Sequence, residues 1–204
     1  MKRRSVTSRL LLSASVLGAA ASIAGLATYA TFTSSTSASQ SVSSGTVTIG
    51  LGATGASTNR LNVAATNIAA GDTVQRTVDL INSGSINLAS LSLTSSATTS
   101  SLLDTDATNG LQLVIDKCSA AWTESGSAPA YTYSCSGTTS SVLASHAVVG
   151  ANLTLSNLGA LTAGATDHLR FTLTLPSSAP NTMQNQSSVL QYTFTGTQRA
   201  ASNQ

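Results

Sequence analysis

Few residues in this chain could do chemistry. Its 204 residues hold two cysteines, Cys118 and Cys135, two histidines, His146 and His168, a single glutamate, Glu124, and six aspartates. A zinc site needs three or four His, Cys or carboxylate ligands, commonly with two of them closely spaced on one element. Neither histidine has a second ligand at such a spacing, so the sequence implies no metal ligands and no cofactor. The HExxH motif, the G-x-S-x-G nucleophile elbow and S-x-x-K are all absent. Asp104 and Asp106 form a close carboxylate pair, and glycoside hydrolysis uses two carboxylates facing each other across a cleft. These two lie in "TSSLLDTDATNG", where capping or solvating a loop is the plainer role and a loop calcium site the alternative. No catalytic residue is assigned.

What the cysteines do depends on where the chain goes, and the N-terminus bears on that. "MKRRSVTSR" is cationic, and "LLLSASVLGAAASIAGLATYA" follows without a charge. The run ends on Thr28-Tyr29-Ala30, a small-x-small pattern suited to signal peptidase, with Thr31 as the new N-terminus. An uncleaved signal anchor is the alternative. Either way the folded part leaves the cytoplasm, and the membrane is met only through this segment. In an oxidising compartment Cys118 and Cys135 are expected to pair as a disulfide closing a short loop, which contributes roughly 3 kcal/mol. Trp122 lies inside that loop and is expected as a lid over one end of the fold.

Composition narrows the class. Only 8% of residues are charged and 41% are hydrophobic, so a core can form. Four of the nine basic residues (Lys2, Arg3, Arg4 and Arg9) precede position 10. The remaining five face seven acidic residues, a net charge of about −2. With no basic stripe, nucleic acid is not an expected partner. The sequons at Asn152 and Asn185 are chance matches in a chain rich in Ser, Thr and Asn.

The elements that must position these residues read as short strands. "TVTIGL" alternates with Val47, Ile49 and Leu51 on one face, and "RLNVAA" is a weaker strand. A Gly-Asp turn precedes a long strand through Val74, Val78 and Leu80, which ends on Asn82-Ser83-Gly84. Leu91 and Leu93, then Leu111, Leu113 and Ile115, continue the pattern. "PAYTYSC" and "GANLTLSNL" are shorter. "TDHLRFTLTLP" places Leu169, Phe171, Leu173 and Leu175 inward and turns His168 and Arg170 to solvent. "SSVLQYTFTGTQ" places Leu190, Tyr192 and Phe194 inward. Period-two alternation marks antiparallel sheets with one wet face. One helical turn is expected at Leu102 and Leu103, and His146 as a half-exposed structural residue. Eight or nine strands predict an all-β fold, a jelly-roll-like antiparallel β-sandwich behind an N-terminal hydrophobic signal helix. The divisions are a signal peptide over 1–30, a Ser/Thr-rich arm over 31–46, the sandwich over 47–199 and a tail over 200–204.

Several of these pieces, in order, resemble the TasA/camelysin family of secreted proteins: "GLATYA" followed by "TF", "SGTVTIGL", "LNVAATNIAAGDTVQRTVDLINSGSINLASLSL", "LTAGATDHLRFTLTLP" and "NQSSVLQYTFTGTQ". The section with Cys118, Trp122 and Cys135 departs from that pattern and looks like a variant from high-GC Gram-positive bacteria. The resemblance implies a jelly-roll domain, a SipW-type signal peptidase as processing partner, and self-association into biofilm-matrix or surface fibres. In fibre-forming members the freed N-terminus inserts into the next subunit as a donor strand. Camelysin-type relatives carry a metallopeptidase label. The arm itself is uncharged, free of proline and small, with Thr31 at its start and Phe32 and Val42 as its large side chains. Such a segment can complete another chain's sheet edge, with Phe32 as anchor, or serve as a spacer. The function expected is a secreted, non-enzymatic fibre subunit. The alternatives are a monomeric surface-binding module and a camelysin-type metalloendopeptidase.

Overall fold

A computed structural model describes residues 44–65 and 67–202. The signal helix, the cleavage positions Thr28, Ala30 and Thr31, and the arm residues Phe32 and Val42 lie outside these.

Among the described residues ten strands form, one or two more than the turn signals predict. They are β1 (Ile49–Leu51), β2 (Thr73–Asn82), β3 (Leu88–Thr99), β4 (Gln112–Cys118), β5 (Thr123–Ser127), β6 (Ala130–Ser134), β7 (Thr139–Ala147), β8 (Gly150–Thr154), β9 (Thr166–Thr174) and β10 (Val189–Gln198). One short helix, α1 (Leu102–Thr105), and a 3-10 turn (Asn181–Met183) complete the set. The strands pair antiparallel into a five-stranded sheet, β1-β2-β9-β4-β7, a three-stranded sheet, β10-β3-β8, and the hairpin β5-β6. The chain crosses between the two larger sheets at β2–β3, β3–β4, β7–β8, β8–β9 and β9–β10, as expected of a jelly-roll-like sandwich.

The alternating residues meet as the sequence implies. Val78 and Leu80 of β2, Leu113 and Ile115 of β4, and Leu169 and Phe171 of β9 are buried from the five-stranded sheet. Leu88, Leu91 and Leu93 of β3 face them. Phe171 bridges the layers, edge-on to Tyr192 at 5.0 Å and to Phe194 at 6.3 Å, arrangements that favour the ring quadrupoles. Burying such side chains contributes roughly 1.5–3 kcal/mol each. Gly196 in β10 lets the side chains of Ile49 and Leu88 pack close against the strand. The Gly-Asp turn forms with Gly71 at φ +93°, a region suited to glycine, and is tied to the far end of β9 through Gly71 N–H to Leu175 O, 2.8 Å.

Two expected strands differ. "TVTIGL" pairs with β2 only over Ile49–Leu51, leaving Val47 and Leu51 exposed. "RLNVAA" does not pair as a strand. Asn59 makes a single bridge to Val78, after which the chain lifts off the edge of β2 and becomes a loop.

Candidate functional site

The five-stranded sheet reaches past its smaller partner. Over β2 and β9 the three-stranded sheet stops at β10, which pairs only with β3 among the described residues. Beside it lies a groove of about 770 Å³. Its floor is apolar and comes from the five-stranded sheet: Val74, Phe171, Leu173 and Leu175. Leu190 and Tyr192 of β10 form one wall. Residues 61–65 and 67–70 form the other, and residues between 179 and 188 close one end. A smaller hollow of about 260 Å³ continues past Leu190 toward Leu51. An unpaired strand edge next to an apolar trough is the geometry that accepts an added β-strand, with backbone groups giving affinity and alternate side chains entering the trough.

The wall opposite β10 has no strand pairing of its own, and arginines hold it. Arg76 points inward by the parity of β2 and is 4% exposed. Its guanidinium donates to Val63 O (2.9 Å), Ala64 O (3.2 Å), Gln75 O (2.6 Å) and Pro129 O (3.0 Å). Burial lowers its affinity for the proton, yet arginine stays charged. Arg60 forms a fork with Glu124, Nε to Oε2 at 2.8 Å and Nη2 to Oε1 at 2.7 Å. That bond to Arg60 holds the Glu124 carboxyl below its ordinary range, against burial that opposes it. Arg60 also donates to Gly55 O. Both guanidiniums lie over the Tyr131 ring, at 4.8 and 5.8 Å. Tyr133 donates to Glu124 at 3.0 Å, and burial raises its phenol.

At the closed end a carboxylate joins α1 to the start of β10. Asp104 accepts from Ser101 N–H (2.7 Å) and Ser100 Oγ (2.7 Å), and also from Ser188 Oγ. With Ser101 as N-cap this is a capping box. Burial pushes the Asp104 carboxyl up, but the bonds from Ser188, Ser100 and Ser101 outweigh it and hold the group below its ordinary range.

The remaining residues singled out in the sequence scatter. Cys118 and Cys135 are joined as a disulfide, with Cα atoms 5.7 Å apart. Trp122 does not cover an end of the sandwich. It lies on the outer face of the five-stranded sheet, donating to His168 O at 2.9 Å and stacked on Arg170 at 4.4 Å. With Cys118 and Tyr133 it forms a small second apolar cluster that roots the β5-β6 hairpin. His168 accordingly does not simply face water: its side chain is 26% exposed, and Nδ1 sits 2.7 Å from Asp79 Oδ1. His146 is half-buried and its Nδ1 meets Ala147 O. Asp106 caps the turn after α1 through Thr108 and Asn109, and those bonds, Asn109's first, keep its carboxyl low. Asn152 and Asn185 both adopt positive φ, the latter at the groove.

Sequence reasoning missed Arg76. It occupies an inward position between Val74 and Val78 of β2, and that break in the apolar alternation was the available signal.

The His, Cys, Asp and Glu side chains do not fit a metal site. Among the described residues no three converge. Each candidate ligand set is scattered or engaged elsewhere, the cysteines in their disulfide and Glu124 on Arg60. The model of a family described as camelysin metallo-endopeptidase matches residues 7–203. No curated protein matches the chain.

Proposed function

The chain belongs to the camelysin family, which includes TasA, and from that premise we propose that it is a secreted, non-enzymatic subunit of extracellular fibres that assembles by strand donation. The observation that carries this reading is the free edge of β10 beside an apolar groove. Residues Thr31–Ser44 are the donor: uncharged, β-tolerant and long enough to lie along the ten residues of β10. Cleavage after Ala30 by a SipW-type signal peptidase frees them, so assembly waits for export. Because the donor edge and the acceptor edge are different surfaces, the contact is head-to-tail and grows an open filament.

Deleting residues 31–44 should leave secreted, folded monomers that form no fibres in electron micrographs. Fibres of normal abundance from that variant would refute strand donation, and a monomeric wild-type protein on size exclusion would favour a surface-binding module. The family's description favours one other reading, a metalloendopeptidase. A protease assay on the purified protein, with and without chelator, separates the two: chelator-sensitive cleavage would overturn the non-enzymatic reading.

A further inference from the structure

The section closed by Cys118 and Cys135 is built against the wall of the groove. The β5-β6 hairpin is inserted between β4 and β7 and wraps the edge of β2. A two-stranded hairpin of five residues a side is marginal by itself. Here it is rooted at its base by Cys118–Cys135 and by Trp122 on Arg170.

Its far end reaches Arg76, which lines the groove. Pro129 O in the hairpin turn shares the Arg76 guanidinium with Val63 O and Ala64 O of the wall. Glu124 takes Arg60, which begins the wall, and Tyr131 lies under both cations. One side of this contact is therefore a disulfide-anchored hairpin, and the other is a loop with no strand pairing of its own.

We propose that the hairpin is the outer clamp of the strand-acceptor groove: it holds residues 61–65 at the distance from β10 that admits a strand, and Arg76 is the positioning residue that transmits its hold. The proposal rests on the strand-donation reading for its consequence, but the clamp has a readout of its own. If the hairpin lets go, Val63 and Ala64 keep only the Arg76 bonds between the backbone ties at either end, Arg60 N–H to Thr77 O and Gly71 N–H to Leu175 O, and the groove loses its defined width before the sheets themselves are disturbed. The disulfide then matters for acceptance as well as for stability, because it anchors the hairpin against which the wall is set.

The experiment uses the secreted full-length chain, a variant without the staple (C118S/C135S), and a variant that keeps the staple and the Pro129 carbonyl but loses the hairpin's side-chain hold on Arg60 and Arg76 (E124A/Y131A). Amide hydrogen exchange by mass spectrometry reads residues 61–70 against β3 and β8 as controls. Exchange over 61–70 should rise about tenfold or more in both variants while β3 and β8 stay unchanged. A fluorescent peptide with the sequence of residues 31–44 should bind each variant about tenfold more weakly than wild type.

Unchanged exchange over 61–70 in E124A/Y131A overturns the clamp, whatever the peptide does. If C118S/C135S loses protection throughout, E124A/Y131A alone decides. If wild type fails to bind the peptide, strand donation falls, and the exchange result still decides whether the hairpin sets the wall.

Discussion

Two strand edges of this sandwich are treated in opposite ways. The edge of β2 is closed by the chain itself. Arg60 N–H bonds Thr77 O at 2.8 Å, Asp79 N–H bonds Thr58 O at 2.8 Å, Thr77 Oγ1 donates to Ser57 O, and the hairpin lies over the result. The edge of β10 runs ten residues with no second strand among those described, and a groove lies alongside. Natural sheets usually blunt an open edge with charge, proline or a bulge, because it invites pairing with another chain. β10 has no charged residue and no proline. Charged side chains are instead gathered on the five-stranded sheet: Arg60–Glu124 lies at the closed edge, while Asp79–His168 and Asp116–Arg170 cross the outer face between β2, β9 and β4. Charge and covering chain have gone to one edge and been withheld from the other, where register shifts fall only at the two ends, Val189/Leu190 and Thr197/Gln198, and the stretch between them is kept available for a partner strand.

The sharpest way to break this comparison is to give the open edge what the closed one has. Leu190→Asp puts a carboxylate on the groove side of β10, where the open trough keeps it hydrated in the free protein. A strand laid over it would strip that water at a cost of several kcal/mol. The concentration needed for fibre formation should rise about a thousandfold, roughly 4 kcal/mol, while the secreted variant keeps its far-UV circular dichroism. Fibres at the wild-type concentration would mean that the groove is not where strands enter.

Much of the sandwich was legible because alternation is local. "TDHLRFTLTLP" writes its buried face into every second residue, and β9 buries Leu169 and Phe171 as read. The groove was not legible. It exists because "RLNVAA" leaves the edge of β2, and that depends on Arg76 capturing the carbonyls of Val63 and Ala64 from a different part of the sequence. The position of Trp122 was hidden for the same reason. A hairpin inserted between strands can fold over an end or over a face, and stacking on Arg170, 48 residues downstream, decides which. The cysteines were readable as a pair because no other thiol competes.

Next in size is the closed edge. Arg76→Met keeps the aliphatic stem and removes the donors to four carbonyls, leaving those in the wall and in the hairpin turn without partners. Orphaned buried acceptors cost about 1–3 kcal/mol each where water cannot reach them. Some rehydration reduces the sum, so a loss of about 3 kcal/mol in urea unfolding is expected. A loss under about 0.5 kcal/mol would show that the edge is closed by the backbone bonds at Thr77 and Asp79 alone.

The open edge has its own anchor, and it is smaller. Asp104→Asn should cost about 1–2 kcal/mol by weakening the capping box and the tie to Ser188. Because the folded state holds this carboxyl below its ordinary range, its contribution is complete above the unfolded value near 4. It is lost as pH falls through the lower folded value. Wild type should therefore lose stability to acid below about pH 4 more steeply than the variant. Parallel pH profiles of the two would show that the carboxylate is not what holds the end of β10.

The smallest effect tests whether the charges on the closed side close it or merely occupy it. Asp79 meets His168 at 2.7 Å across the outer face of β2 and β9, with the two side chains 17% and 26% exposed. Partly exposed pairs of this kind typically contribute 0–1 kcal/mol, because water screens them and two side chains must be ordered. Asp79→Asn preserves the shape and leaves the Asp79 backbone bond to Thr58 O in place. It should cost about 0.5 kcal/mol, shrink further in 1 M salt, and leave fibre formation unchanged. A loss above about 2 kcal/mol would mean that the ion pairs, more than the backbone and the hairpin, keep β2 from accepting a strand, and the contrast with β10 would then be one of charge instead of pairing.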